Sequence, residues 1–359
     1  MKYSILLLMF FSVLSCLKEE EFKKPFVSYE PKDLHDGWDI STPEAEGLNG
    51  EKLTGIYEDF HNRKDTWQVR SLLVFRNGKL LAESYTKDDH DITNPILVQS
   101  CTKQVISLLT GIAIEHGLFN SVTDSIKRYI PEVNLHKDKT GITIQHLLTM
   151  KSGIDFQNEG MKGNNFVLLQ QKPSSLLEYI LDLPMADKPG TKAMYKDCDA
   201  HLMAICIQKQ AGQKTSDWAR EVLFDPLAIK YLKWDCYRDG YTLGGHGIFT
   251  TPRELGKFGQ LVLDSGSYKG QQIVSREWIR EMTQVREQNV YGTQFGYFWR
   301  LDARRNWVMM MGHGGQLVCI VPEKTLIVVI IAEPLIQGEY QLSFSYNFGV
   351  VEHIISICN

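Results

Sequence analysis

The sequence predicts an α/β (α+β) fold in which both ends of the chain build an antiparallel sheet and the middle forms a helical lobe. Three observations carry this. Residues 69–85 read VRSLLVFRNGKLLAESY, two apolar stretches around Asn77-Gly78, a pair suited to a type I′ hairpin because both central residues need positive φ. Near the other end, QLVCIV (316–321) and TLIVVIIA (325–332) flank Pro322-Glu323-Lys324 and read as a second hairpin. Between the hairpins the apolar spacing is helical over 103–115, 144–150, 174–183, 200–210 and 253–263, punctuated by Gly, Pro and Asn. The last segment, SFSYNFGVVEHIISI, has helical spacing too and is expected to pack back on the sheet. The lobe falls at roughly residues 120–240.

Composition sets the outer limits. The chain has 359 residues, of which 43% are hydrophobic and 23% charged, which excludes a disordered or fibrous protein. Lys plus Arg number 39 against 43 Asp plus Glu, a net charge of −4. That balance lacks the cation surplus that gripping nucleic acid requires. Beyond the N-terminus no apolar run reaches the roughly 20 residues of a membrane span.

The first residues read as an address. Lys2 precedes the apolar stretch ILLLMFFSVL (5–14), then Ser15 and Cys16, the pattern of a secretory leader over residues 1–15. Val13-Leu14-Ser15-Cys16 resembles a bacterial lipobox, which makes Cys16 the lipidated N-terminus of an exported cell-envelope lipoprotein held by its lipid anchor. A plain secretory leader with Cys16 incidental is the alternative. Leu17-Lys18-Glu19-Glu20-Glu21 suits either a surface-export tether or a solvated linker. Residues 16–36 are expected to be a flexible tether and 37–359 the folded domain. Six further cysteines are scattered without CxxC or Cys/His spacing, so buried thiols and no metal are expected.

For chemistry, GxSxG, HExxH, phosphate-loop and GxGxxG signatures are missing from the sequence. Within residues 37–359 Ser-x-x-Lys occurs twice. The chemistry needs an amine beside the hydroxyl, and positions i and i+3 share a face only on a helix. Ser84-Tyr85-Thr86-Lys87 ends a predicted strand and is expected to be a surface coincidence. Ser100-Cys101-Thr102-Lys103 opens VISLLTGIAIEHG, a helix apolar on nearly all sides and hence central. There Ser100 faces unpaired backbone N–H groups able to donate to an oxyanion. Burial would depress the Lys103 pKa toward a neutral amine base. A helix N-cap with a solvated Lys fits the same four residues.

The neighbours separate these readings. LVQSCTKQVISLLTGIAIEHGLFNSVTDSIKRYIPE resembles the Ser-x-x-Lys helix and following loop of the serine β-lactamase-related hydrolases. These comprise class C β-lactamases, D-Ala-D-Ala peptidases, family VIII esterases and 6-aminohexanoate-dimer hydrolases. ITIQHLLTMKSGIDF, PGTKAMYKDCDAHLMAICIQKQAG, WAREVLFDPLAI, FTTPRELGKFGQLVLDSG and GHGGQLVCIVPEKTLIVVI resemble later family segments in the family's order. The resemblance covers residue 37 to the C-terminus and implies a β-lactamase/transpeptidase-like fold without a cofactor. By position it implies Ser100 as acylated nucleophile, Lys103 as its proton partner and Tyr195 as the second-motif tyrosine that passes a proton to the leaving group. His313-Gly314-Gly315 resembles the third motif, and the N–H of Gln316 would join that of Ser100 as an oxyanion hole. Lys139-Thr140-Gly141 spells the literal third motif of penicillin-recognising enzymes. It precedes Tyr195 and a helical segment, so it reads as a loop.

Two departures bear on substrate. Asp197 stands where the second motif usually has Asn, and a carboxylate accepts but cannot donate to a substrate carbonyl. It would also keep Lys103 charged and shift the base role to Tyr195. His313 replaces the usual Lys cation. Both favour an amide or ester substrate over efficient β-lactam turnover. Tyr297 and Trp299 are expected in the core rather than in an acyl pocket. Cys101 and Cys198 should be passive walls, and His201 and His246 structural. The expectation is therefore a monomeric serine hydrolase working on a small-molecule or peptide substrate through a Ser100 acyl-enzyme. A D-Ala-D-Ala peptidase, an acyltransferase, and a non-catalytic binding or sensor module are its rivals.

Overall fold

Asn77 and Gly78 have φ of +52° and +77°, the left-handed pair a type I′ turn needs, and around them the first hairpin closes. The computed structural model describes residues 23–158, 163–288, 293–334 and 343–359; the leader, Cys16 and the first part of the tether lie outside the described residues. The strands are β1 (Asp39–Ile40), β2 (Val69–Arg76), β3 (Lys79–Tyr85), β4 (Ile96–Leu97), β5 (Leu232–Trp234), β6 (Ile248–Thr250), β7 (Ser267–Tyr268), β8 (Gln271–Gln272), β9 (Glu287–Gln288), β10 (Gln294–Phe295), β11 (Arg300–Asp302), β12 (Trp307–Gly312), β13 (Gln316–Val321) and β14 (Leu326–Ala332). The α-helices are α1 (Gly50–Asn62), α2 (Cys101–Glu115), α3 (Ile144–Leu148), α4 (Asn164–Gln170), α5 (Leu176–Asp182), α6 (Asp197–Ala211), α7 (Thr215–Ala219), α8 (Pro252–Leu263), α9 (Arg276–Met282) and α10 (Phe344–Ser356).

Among the described residues the main sheet runs β1-β3-β2-β14-β13-β12-β11-β10-β9. Its central seam joins the two ends of the chain, with β2 antiparallel to β14 through Val74↔Val328 and Leu72↔Ile330. Strand residues alternate between faces, and here both faces are covered. Leu73, Phe75, Ile327 and Val329 share one core with α2, α8 and the lobe. Leu72, Val74, Val328 and Ile330 share a second with Leu53 and Phe60 of α1 and Val351 and Ile354 of α10. These side chains are fully buried or nearly so, and truncating one to Ala costs about 2–5 kcal/mol. Small sheets, β4-β6-β5 and β7-β8, lie outside the main one.

Residues 23–36, expected within a flexible tether, are instead fastened to the body. Lys24 N donates to Thr86 O at 2.6 Å and Glu83 N to Tyr29 O at 2.8 Å, so the segment covers the edge of β3 that would otherwise be unpaired. The buried Arg253 donates to Lys32 O (2.5 Å), Asp36 Oδ2 (3.0 Å) and both carboxylate oxygens of Glu83 (2.5 and 2.8 Å). Phe26 and Tyr29 pack on Tyr57. Ser84 is also corrected. It is buried, not on the surface, because its hydroxyl is held 2.7 Å from His61 Nε2.

Candidate functional site

α2 starts beside the end of β12, where two glycines leave room for neighbouring backbone. A Cβ on Gly312 would sit 2.3 Å from Val98 O, and one on Gly314 2.3 Å from Glu333 O. His313, Gly314, Gly315 and Gln316 therefore lie next to the residues that lead into Ser100. Gln316 is tied between strands, its Nε2 donating to Ala332 O at 2.8 Å and its Oε1 accepting from Ala332 N at 3.1 Å. Gln99, just before Ser100, has φ +51°, a strained conformation for a non-glycine residue. Its side-chain amide holds Pro334 O at 2.6 Å. The backbone N–H of Ser100 has no acceptor among the described residues, which leaves it available to an oxyanion.

Ser100 caps α2 with its backbone, its side chain making no capping hydrogen bond. The hydroxyl is instead 2.9 Å from Lys103 Nζ, one helical turn on. The ammonium has two further acceptors, Gly245 O at 2.7 Å and Asp197 Oδ1 at 2.6 Å, so each of its three hydrogens has a partner. Tyr195, half-buried before α6, has its ring centre 4.8 Å from Nζ. Thus Ser100, Lys103, Tyr195 and Asp197 come together, and the turn that carries His313 lies beside the residues leading into Ser100.

The electrostatics overturn one expectation and match another. Burial does press the Lys103 pKa down, but the Asp197 carboxylate and Tyr195 outweigh it and the net direction is upward. Burial likewise pushes Asp197 up, yet Lys103, His246 and His201 together hold it at about 2. Lys103 is accordingly an ammonium rather than a neutral amine base, as the substitution of Asp for Asn implies.

Sequence reasoning missed the groups that grip Asp197. Asn158 Nδ2 donates to Oδ1 at 3.1 Å and Asn165 Nδ2, on α4, to Oδ2 at 2.7 Å. It also missed Arg300. Its guanidinium lies 5.1 Å from the Tyr195 ring centre and 4.9 Å from that of Phe295, with no carboxylate paired to it among the described residues. The strand alternation after buried Trp299 was the signal: Arg300 must point away from the core side.

Other residues fall where expected. Trp299 and Tyr297 are core, the latter stacked on Trp278. Burial raises the Cys101 thiol to about 12 and Cys198 well above its usual range, so neither is a ready thiolate. Lys139 ends the short turn Lys137–Lys139, Thr140-Gly141 leads on towards α3, and none of the three lies on a described strand. Asp197, His201 and His246 bring ligand atoms within 4.8 Å of one another, but the donor set does not suit a metal. His201 Nδ1 accepts from Gly244 N (3.1 Å) and Gly245 N (3.2 Å), which puts the ring proton on Nε2 and leaves no free lone pair. Asp197 is already held by Lys103.

Residues 69–334 match the family model described as Beta-lactamase. A Salmonella agona (strain SL483) protein named provisionally as a D-alanyl-D-alanine carboxypeptidase is 22% identical over 226 residues, 56% of this chain and 52% of that one. The 6-aminohexanoate-dimer hydrolase of Paenarthrobacter ureafaciens is 21% identical over 260 residues, 68% of this chain and 64% of that one. The chain thus matches between half and two thirds of the length of these two relatives. A solved family VIII carboxylesterase superposes with a TM-score of 0.69 at 15% identity, over 89% of this chain and 99% of that one, which shows the shared fold.

Proposed function

Because the chain belongs to the β-lactamase family, we propose that it is a serine hydrolase that opens amide or ester bonds through an acyl-enzyme on Ser100. The observation that carries this is Lys103 Nζ at 2.9 Å from Ser100 Oγ while paired with Asp197 at 2.6 Å. An ammonium there stabilises developing negative charge on Ser100 Oγ and cannot itself accept a proton, so the base role falls to Tyr195. Ser100 Oγ attacks the acyl carbon, and the N–H groups of Ser100 and Gln316 receive the oxyanion. Tyr195 returns the proton to the departing amine or alcohol, and water then takes the acyl group from Ser100. The 6-aminohexanoate-dimer hydrolase and carboxylesterase among the similar proteins support an amide or ester substrate.

A fluorophosphonate probe and a short-chain p-nitrophenyl ester test the reading. Label on Ser100 with steady ester release is expected, and both lost in Ser100→Ala. Full turnover by Ser100→Ala would sink the nucleophile assignment. Label without turnover would favour a sensor, or a transferase awaiting its acceptor.

One observation favours a second reading, a D-Ala-D-Ala carboxypeptidase. The guanidinium of Arg300 above the Tyr195 ring is a permanent cation suited to a substrate carboxylate. Release of D-alanine from an N-acylated D-Ala-D-Ala peptide is the discriminating assay. Anchoring to the cell envelope through Cys16 completes the proposal. Mass spectrometry of the N-terminus from intact cells tests it, and a chain beginning at residue 17 or later without lipid would refute it.

A further inference from the structure

His201 lies one turn after Asp197 on α6 and is fully buried. Its Nδ1 accepts the N–H groups of both Gly244 and Gly245. The same short segment turns the Gly245 carbonyl onto Lys103 Nζ at 2.7 Å. The segment is pressed against α6, since a Cβ on Gly244 would lie 2.0 Å from Ala200 O and one on Gly245 2.6 Å from Asp197 Cβ. Both amides are buried donors, and without the imidazole nitrogen they lose their acceptor. The ring is thus the element that holds this carbonyl at its height above α6.

We propose that His201 is a positioning residue for Lys103: by accepting from Gly244 and Gly245 it fixes the third acceptor of the ammonium, and so sets the pH range over which Lys103 stays charged. The inference rests on the reading of Ser100 and Lys103 given above. Lys103 meets Ser100 on its own helix, Asp197 from α6, Tyr195 from the segment before it, and the Gly245 carbonyl. Arg300 lies 5.1 Å from the ring centre of Tyr195, and His246 stands edge-on to His201 with ring centres 5.5 Å apart. Burial, then His246, holds the His201 pKa at about 3, so its acceptor persists through the neutral range.

Three variants separate positioning from simple support. His201→Asn keeps an acceptor where Nδ1 sits, His201→Gln carries it farther out at the Nε2 position, and His201→Leu removes it. The quantities read are the pH dependence of kcat/KM for p-nitrophenyl acetate and the Lys103 side-chain titration, followed by NMR in lysine-labelled mature protein and assigned with Lys103→Arg. The expected result is an alkaline limb lowered by about one pH unit in Leu and Gln, because an ammonium that loses a hydrogen bond deprotonates sooner, with Asn near wild type. Leu and Gln profiles that keep their position and change only in height would overturn the proposal. So would an Asn variant that shifts as far as Leu. If Leu fails to fold, the Asn and Gln pair decides. Wild type that neither labels at Ser100 nor turns over ester refutes the acyl-enzyme reading, whereas the NMR titration still decides the role of His201.

Discussion

Lys103 and Asp197 form a buried ion pair, Nζ to Oδ1 2.6 Å, with side-chain exposures of 0% and 6%. Two charges out of water gain from each other only when their remaining hydrogen-bonding capacity is met. Here Ser100 and Gly245 complete the ammonium, and Asn158 and Asn165 complete the carboxylate. Under the proposed acyl-enzyme reading the pair sits in the reaction centre, so disturbing it is expected to change chemistry and stability together.

Asp197→Asn leaves the ammonium without its counter-charge. The variant is expected to lose about 3–5 kcal/mol of stability, to show an alkaline limb of kcat/KM at lower pH, and to acylate faster with β-lactams because the amide can donate to a substrate carbonyl. Urea unfolding, a pH profile and nitrocefin acylation measure the three. No gain with nitrocefin would remove the explanation offered for this substitution.

The pair also sets an acid limit. Asp197 goes from an ordinary 3.8 to about 2 in the folded chain, a depressed carboxylate, so its contribution is present above about pH 4 and lost as pH falls through about 2. That shift corresponds to roughly 2–3 kcal/mol. Unfolding free energies between pH 5 and 2 should fall less steeply in Asp197→Asn than in wild type.

Ser84 belongs to a different pairing from Ser100. Ser84→Ala strips His61 Nε2 of its buried partner, for an expected loss of about 1–3 kcal/mol, while fluorophosphonate labelling and ester turnover stay at wild-type level. A matching drop in labelling would move part of the chemistry to Ser84.

Arg300→Met is expected to reduce kcat/KM about 10- to 100-fold for substrates bearing a terminal carboxylate, the worth of a hydrogen bond to a charged group, and to leave neutral p-nitrophenyl esters nearly unchanged. Equal losses on both substrate types would assign Arg300 to the packing of Tyr195 instead.

Arg253→Met removes donors to Lys32, Asp36 and Glu83 and leaves two acidic groups near one another. Limited proteolysis should then cut within residues 23–36, and stability should drop by about 3–5 kcal/mol. Resistance equal to wild type would show that the Lys24–Thr86 and Tyr29–Glu83 backbone bonds suffice.

The elements legible in the sequence were those with strong periodicity. Asn77-Gly78 marks its turn chemically, and the all-round apolar character of α2 gives away its central position. Tyr195 and Asp197 could be placed beside Lys103 through motif order. Asn158 and Asn165 could not, because they reach Asp197 from 39 and 32 residues away by side-chain amides that leave no pattern. The fastening of residues 23–36 was hidden for a related reason: it relies on backbone groups and a few aromatic side chains, with no repeating spacing. For Lys103 the sequence offered two opposed influences, burial pressing its pKa down and Asp197 holding it charged, and the close pairing with Asp197 decides for the second.

Gly312, Gly314 and Gly315 constrain inheritance as well as shape. Gly312 and Gly314 would each drive a Cβ into a backbone oxygen 2.3 Å away, and Gly314 and Gly315 sit at φ of +86° and +103°, where side chains are strained. Of the four positions from 312 to 315, His313 alone is not a glycine held by its backbone geometry. A lineage drifting toward another substrate therefore has one site on this turn at which to change its chemistry in a single step, and the three around it stay silent.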